Sequence, residues 1–196
     1  NTLSHLLACQ DWDRLAAQYA GLDIIRFLKE KPLPVLRTMA ERRLNSPLAS
    51  SVGRLFDAVA AAVGVCRETA SFEGQAAIEL EALALPFAEE AAADAYVIEW
   101  RDDSLQFHEL WQAILRDLEQ GVVAGAIAAR FHLGLARAAV DKARRLCAGY
   151  GLDTVALGGG VFQNALLLEV LADQLRDHRL KVLLPRELPA NDGGLS

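Results

Sequence analysis

Three consecutive glycines followed by a polar cluster, Leu157-Gly158-Gly159-Gly160-Val161-Phe162-Gln163-Asn164, are the sharpest chemical feature of this sequence. Glycine lets a backbone approach an anion closely, and the first-turn N–H groups of a helix that begins there point at it. Asn164, read as a residue of that first turn, adds a side-chain donor suited to a phosphate or a ribose. The run is not a P-loop, because no Gly-Lys-Ser/Thr follows, and it is not a G-x-G-x-x-G dinucleotide fingerprint. A tight packing turn is the competing explanation, and composition does not separate the two.

Three further segments offer related chemistry. Pro189-Ala190-Asn191-Asp192-Gly193-Gly194 carries a carboxylate, Asp192, able to hold a divalent metal or orient a phosphate. Taken alone, Asn-Asp-Gly-Gly is more often simply a turn. Ser50-Ser51-Val52-Gly53-Arg54-Leu55-Phe56-Asp57 places Gly53 one helical turn before Asp57. Glycine inside a helix costs about 1 kcal/mol relative to alanine, so Gly53 implies close approach by a ligand or by another helix. Asp57 is placed to accept from ribose hydroxyls or to pair with Arg54 at i,i+3. Ser71-Phe72-Glu73-Gly74-Gln75 opens another helix, where backbone donors suit an anion or a nucleotide sugar, although capping alone would explain it. The four histidines, His5, His108, His132 and His178, form no i,i+3 or i,i+4 pair, so they are read as core or surface residues rather than metal ligands.

The elements that must position these segments change character along the chain. Helical spacing predicts helices over residues 11–20, 23–31 and 34–44. Ser50-Ser51 is then a plausible N-cap for a helix whose apolar face is Val52, Leu55, Phe56, Val59 and Val63. An alanine-rich helix follows from about residue 73 to 84, limited by Pro86. Residues 95–100 and 104–107 read as a hairpin turning at Asp102-Asp103. Two helices, over 108–120 and 122–148, precede a stop at Gly149 and Gly151. Finally, 154–157 reads as a strand, 161–177 as a helix and 180–184 as a strand. Such a βαβ unit implies parallel pairing, with the glycine loop and the Asp192 loop on the same side of the sheet.

Composition narrows the function classes. Hydrophobic residues make up 53% of the 196, enough for a sizeable core and far from the disordered class. No uninterrupted apolar stretch reaches membrane-spanning length, so no membrane association is expected. The net charge of −6, with acids and bases interleaved, offers no basic footprint for nucleic acid. Cys9, Cys66 and Cys147 are widely separated and odd in number, which suits buried free thiols in a reducing cytoplasm. The sequence opens without a signal peptide or an initiator Met, which suggests a piece of a longer chain.

In order along the chain, PLASSVGRLFDAVAAAVGV, SFEGQAAIELEALA, LGGGVFQNALLLEVL and LPANDGGLS resemble the HypF family of hydrogenase maturation carbamoyltransferases. The segments span residues 47–196, read as the truncated C-terminal lobe of a carbamoyl-transfer domain. Residues 1–46 are a helical segment of less distinctive character. The resemblance implies an α/β, actin-like (ASKHA) nucleotide-binding fold, represented here by one helix-rich lobe with a βαβ unit near its C-terminus. It further implies that carbamoyl phosphate and ATP yield carbamoyl adenylate elsewhere in the protein. This domain would then pass the carbamoyl group to the C-terminal cysteine of a HypE acceptor, where it becomes the cyanide ligand of NiFe hydrogenase.

Carried over by motif, Gly158, Gly159, Gly160 and Asn164 would hold the phosphate, and Gly53, Asp57 and Gly74 the nucleoside. Asp192 would be one ligand of a divalent metal such as zinc, iron or magnesium. Two departures stand out: Gly158 replaces a serine common in the family, and the histidine pair that completes the metal site is missing. Alone, this piece is expected to be a poor catalyst. The domain is also similar to the subunit that makes threonylcarbamoyl adenosine in tRNA. A tRNA carbamoyl-transfer role, a sugar-kinase or actin-like ATPase fragment and a non-catalytic binding module are the alternatives.

Overall fold

The computed structural model describes residues 1–185. Asp192 and the Asn-Asp-Gly-Gly loop therefore lie outside the described residues. The chain begins with four helices: α1 (Thr2–Cys9), α2 (Trp12–Gln18), α3 (Asp23–Lys29) and α4 (Leu33–Arg42). The last three fall where helical spacing predicts them, whereas α1 lies in a stretch too short to display a clear period. It is held by long-range contacts: α1 packs on α5 (Val52–Ala62), and the Thr2 hydroxyl donates to the Ala58 carbonyl at 2.8 Å. Leu55, Phe56 and Val59 of the expected α5 face are buried, while Val52 and Val63 at its ends are half-buried. Ser51 occupies the N-cap position, but its hydroxyl makes no capping bond.

Helix α6 (Gln75–Ala84) follows, capped by Gly74 in the left-handed region at φ 82°. Short 3-10 turns at Leu85–Phe87 and Glu90–Ala92 lead to the hairpin β1 (Glu99–Arg101) and β2 (Ser104–Gln106). The first strand starts at Glu99, later than the expected Ala95. The Tyr96 N–H donates to the Arg130 carbonyl at 3.1 Å, tying this segment to a helix instead of a strand partner. Asp102 turns the hairpin at φ 54°, a conformation that Asp tolerates better than most residues.

Helices α7 (His108–Glu119) and α8 (Ala124–Tyr150) come next. The 27 residues of α8 give a rod of about 40 Å, against which α6, α7 and α9 (Ala165–Asp177) pack. Its interior face is rich in alanine and glycine, so neighbours approach closely. Gly134 faces the Tyr96 backbone, and Gly125 faces the Phe87 ring and the Leu83 carbonyl. The Trp100 indole N–H donates to the carbonyl of the buried Ala138 at 2.8 Å. Strands β3 (Thr154–Ala156) and β4 (Lys181–Leu183) pair in parallel around α9, as the βαβ reading requires, with Val155 opposite Val182.

The close approach at Gly134 yields a clear expectation. A methyl group there would lie 2.2 Å from the Tyr96 carbonyl oxygen, so backbone must move to admit it. Gly134→Ala should therefore destabilise the fold by about 1–3 kcal/mol despite alanine's better helix propensity, as measured by denaturant unfolding.

Candidate functional site

One cleft of ≈ 1230 Å³ gathers residues that are far apart in sequence. Its walls include Gly53 and Asp57 from α5, Gly74 at the start of α6, and Gly160 and Asn164 from the segment after β3. The volume exceeds what a nucleotide-sized ligand needs. Gly158 and Gly159 lie exposed in the approach to this wall but do not line it.

The glycines differ in what they do. Gly159 has φ 107° and Gly74 φ 82°, values that favour glycine on backbone grounds. Gly53 has no such need, and an added Cβ would meet only the Ser51 hydroxyl at 3.4 Å, an ordinary contact. Around Gly158 a Cβ would meet nothing within 4 Å. Close packing therefore explains neither Gly53, against which no other helix presses, nor Gly158.

Asn164 is not in the first turn of a helix that begins at residue 161. Gly160–Gln163 forms a 3-10 turn, and Asn164 is the extended N-cap of α9. Its side-chain oxygen accepts from the Leu167 N–H at 2.8 Å. The neighbouring Leu166 N–H donates to Glu81 Oε1 at 2.9 Å, so a carboxylate from α6 also occupies the start of α9. Two of the backbone donors expected to face an anion are thus already satisfied within the protein.

Asp57 accepts from Arg54 at 3.0 Å and from the Asn1 side chain at 3.2 Å, realising the anticipated i,i+3 pair. Arg67, which also lines the cleft, pairs with Asp23 and donates to the Ala61 carbonyl at 3.0 Å. Among the described residues, both guanidinium groups of this cleft are engaged by carboxylates. Glu68, Glu73 and Glu81 add further negative charge to its walls.

His132, in the middle of α8, is buried in the core and 1% exposed. Its Nδ1 lies 2.7 Å from the Ala128 carbonyl and its Nε2 lies 3.0 Å from Asn164 Nδ2. Phe56 and Phe131 pack edge-on to its ring, with centroids at 5.1 and 5.7 Å. Burial pushes its pKa down to about 4, with the Ala128 bond opposing weakly. His5 packs against Phe107 and Trp111, and His108 bonds the Cys9 carbonyl, so both serve structure. Among the described residues, no three His, Cys, Asp or Glu side chains come together as a metal cluster.

The cysteines depart in part from expectation. All three are free, but only Cys147 is buried; Cys9 and Cys66 are half-buried. Burial raises the Cys9 thiol above its usual pKa. Burial and the neighbouring Glu79 do the same for Cys66, so neither is an activated nucleophile. Glu81 and His132 are the site residues that sequence reasoning missed. Glu81 lies in the SFEGQAAIELEALA segment but past its glycine, where it reads as an ordinary helix residue, and His132 is hidden in an alanine-rich helix. No helix among the described residues is long and apolar enough to cross a membrane.

A family described as "Carbamoyltransferase, Kae1-like Domain, second subdomain" matches residues 1–196. The chain is 39% identical over 174 residues to a carbamoyltransferase HypF homolog of Cupriavidus necator, covering 85% of the chain and 43% of that protein. It is 44% identical over 162 residues to the carbamoyltransferase HypF of Rhizobium leguminosarum bv. viciae, covering 82% of the chain and 20% of that protein. A crystal structure of full-length HypF in its phosphate- and nucleotide-bound form superposes with a TM-score of 0.81 at 32% identity, covering 92% of this chain and 28% of that one. Less extensive matches, over 39% or 40% of the chain, reach tRNA N6-adenosine threonylcarbamoyltransferases. The chain thus spans less than half the length of these HypF relatives.

The buried His132 makes stability depend on pH. An unfolded histidine titrates near 6.5 and the folded one near 4, so the unfolded state binds more protons between those values. The contribution is full above about pH 6.5 and is lost as pH falls toward 4, to a total of about 3 kcal/mol. His5 shifts in the same direction. Unfolding free energies measured at pH 7 and pH 4.5 should differ substantially more in the wild type than in His132→Gln.

Proposed function

The chain belongs to the HypF carbamoyltransferase family, and from that premise we propose that it supplies one wall of a carbamoyl-adenylate site. The carbamoyl group would pass from there to the thiol of an acceptor protein, a HypE-like C-terminal cysteine. The observation that carries this reading is the convergence of Gly53, Asp57, Gly74, Gly160 and Asn164 on one cleft. On this reading ATP and carbamoyl phosphate are the upstream substrates. The wider architecture is the two-lobed, actin-like fold that the resemblance implies. Asp192 remains the motif-assigned ligand for a divalent metal.

The transfer balances simply. The acceptor thiolate attacks the carbamoyl carbon, the bond from that carbon to the phosphate oxygen breaks, and AMP leaves with the electron pair. Such a step needs positioning and charge neutralisation but no nucleophile from this chain. Gly53 gives the nucleoside room to lie against α5, and Asp57 accepts from its hydroxyls at a geometry already held by Arg54. Near the phosphate, backbone around Gly160 and the amide of Asn164 offer donors. The acidic walls of the cleft disfavour a highly charged ligand unless cations from elsewhere in the protein accompany it.

Two substitutions separate binding from stability. Gly53→Ala should leave the fold unchanged or stabilise it by up to about 1 kcal/mol, because α5 gains a better helix former in open space. The same methyl group should weaken binding of ATP and of a stable carbamoyl-adenylate analogue in calorimetric titration. Asn164→Ala should weaken that binding and also cost about 1 kcal/mol through the lost N-cap. Wild-type affinity in both variants would refute the assignment of this cleft.

A further inference from the structure

Hydrogen-bond accounting around Asn164 fixes the identity of every participating atom. The Leu167 N–H can only donate, so the amide atom facing it at 2.8 Å is Oδ1. The NH2 group must then face His132, and the ring nitrogen it meets at 3.0 Å, Nε2, must accept. The other ring nitrogen, 2.7 Å from the Ala128 carbonyl, must carry the hydrogen. Each donor finds an acceptor in this arrangement and in no other. A neutral imidazole protonated on Nδ1 is therefore required.

This chain of contacts joins both sides of the cleft. Asn164 lines it, and Phe56, which packs edge-on to the His132 ring, lies on α5 between Gly53 and Asp57. His132 itself does not line the cleft. We infer that His132 is a positioning residue for the ligand site: it orients the Asn164 amide so that Oδ1 caps α9 and the second Nδ2 hydrogen remains for a ligand. The inference rests on the proposed carbamoyl-adenylate reading of the cleft. Reversal of the amide would set NH2 against the Leu167 N–H and carbonyl against an acceptor nitrogen, losing both bonds together.

The test is a double-mutant cycle on affinity in the full chain, read by titration with ATP and with the stable carbamoyl-adenylate analogue. His132→Leu should weaken binding about three- to tenfold, the range expected for one misdirected hydrogen bond. Adding Asn164→Ala should then cause little further loss, because the two residues act through one contact. His132→Gln, which retains an acceptor, should restore affinity to within about threefold of wild type.

A long-range nitrogen NMR spectrum of the wild type supplies a readout that does not depend on ligand or on a variant's folding. It should show His132 protonated at Nδ1 and unprotonated at Nε2. A proton on Nε2, additive losses in the cycle, or wild-type affinity in His132→Leu would overturn the inference while leaving the cleft assignment intact. If the wild type binds neither ligand, the cleft assignment falls and the positioning role falls with it.

Discussion

The start of helix α9 is the constraint on which the site depends. Helices leave their first N–H groups without partners, and a buried donor left unpaired costs about 1–3 kcal/mol. Here Asn164 satisfies Leu167, and Glu81 reaches from α6 to satisfy Leu166. The Glu81 bond ties the start of α9 to α6, and a further contact from Asn164 to His132 ties it to α8. The cleft wall is thereby set by interior hydrogen bonding, while Gly158 and Gly159 outside it remain free of packing contacts.

The electrostatic character of the cleft follows from the same economy of donors. Arg54 and Arg67 are paired with Asp57 and Asp23, and α9 has a carboxylate at its positive end. Such an arrangement gains stability from the helix dipole, on the order of 0.3–1 kcal/mol, at the expense of affinity for a bare anion. These walls suit the nucleoside portion of a ligand better than a polyphosphate.

Much of the framework was legible in residue order. Two short apolar runs, 154–157 and 180–184, around a helical stretch are enough to specify a parallel unit, and it forms with Val155 opposite Val182. The spacing of Leu55, Phe56 and Val59 likewise specifies the buried face of α5. Helix α1 escaped notice because its eight residues are stabilised by packing on α5, which a local window does not see. Val161 and Phe162 continue the apolar pattern of α9, but they lie in a 3-10 turn that the extended backbone of Asn164 separates from the helix. His132 and Glu81 were invisible as site residues for a deeper reason. Their roles come from contacts across 32 and 85 positions of sequence, and no periodicity encodes such distances.

The glycines of α8 have a mechanical consequence. Gly125 and Gly134 act as two notches on one rod, the first receiving Phe87 and the second the backbone of Tyr96. A slide of α8 by one turn would bring Arg130 or Ala138 to the place of Gly134 and drive a side chain into the Tyr96 carbonyl. Axial shear of the central helix is therefore blocked at both notches, as a bolt is held by its detents.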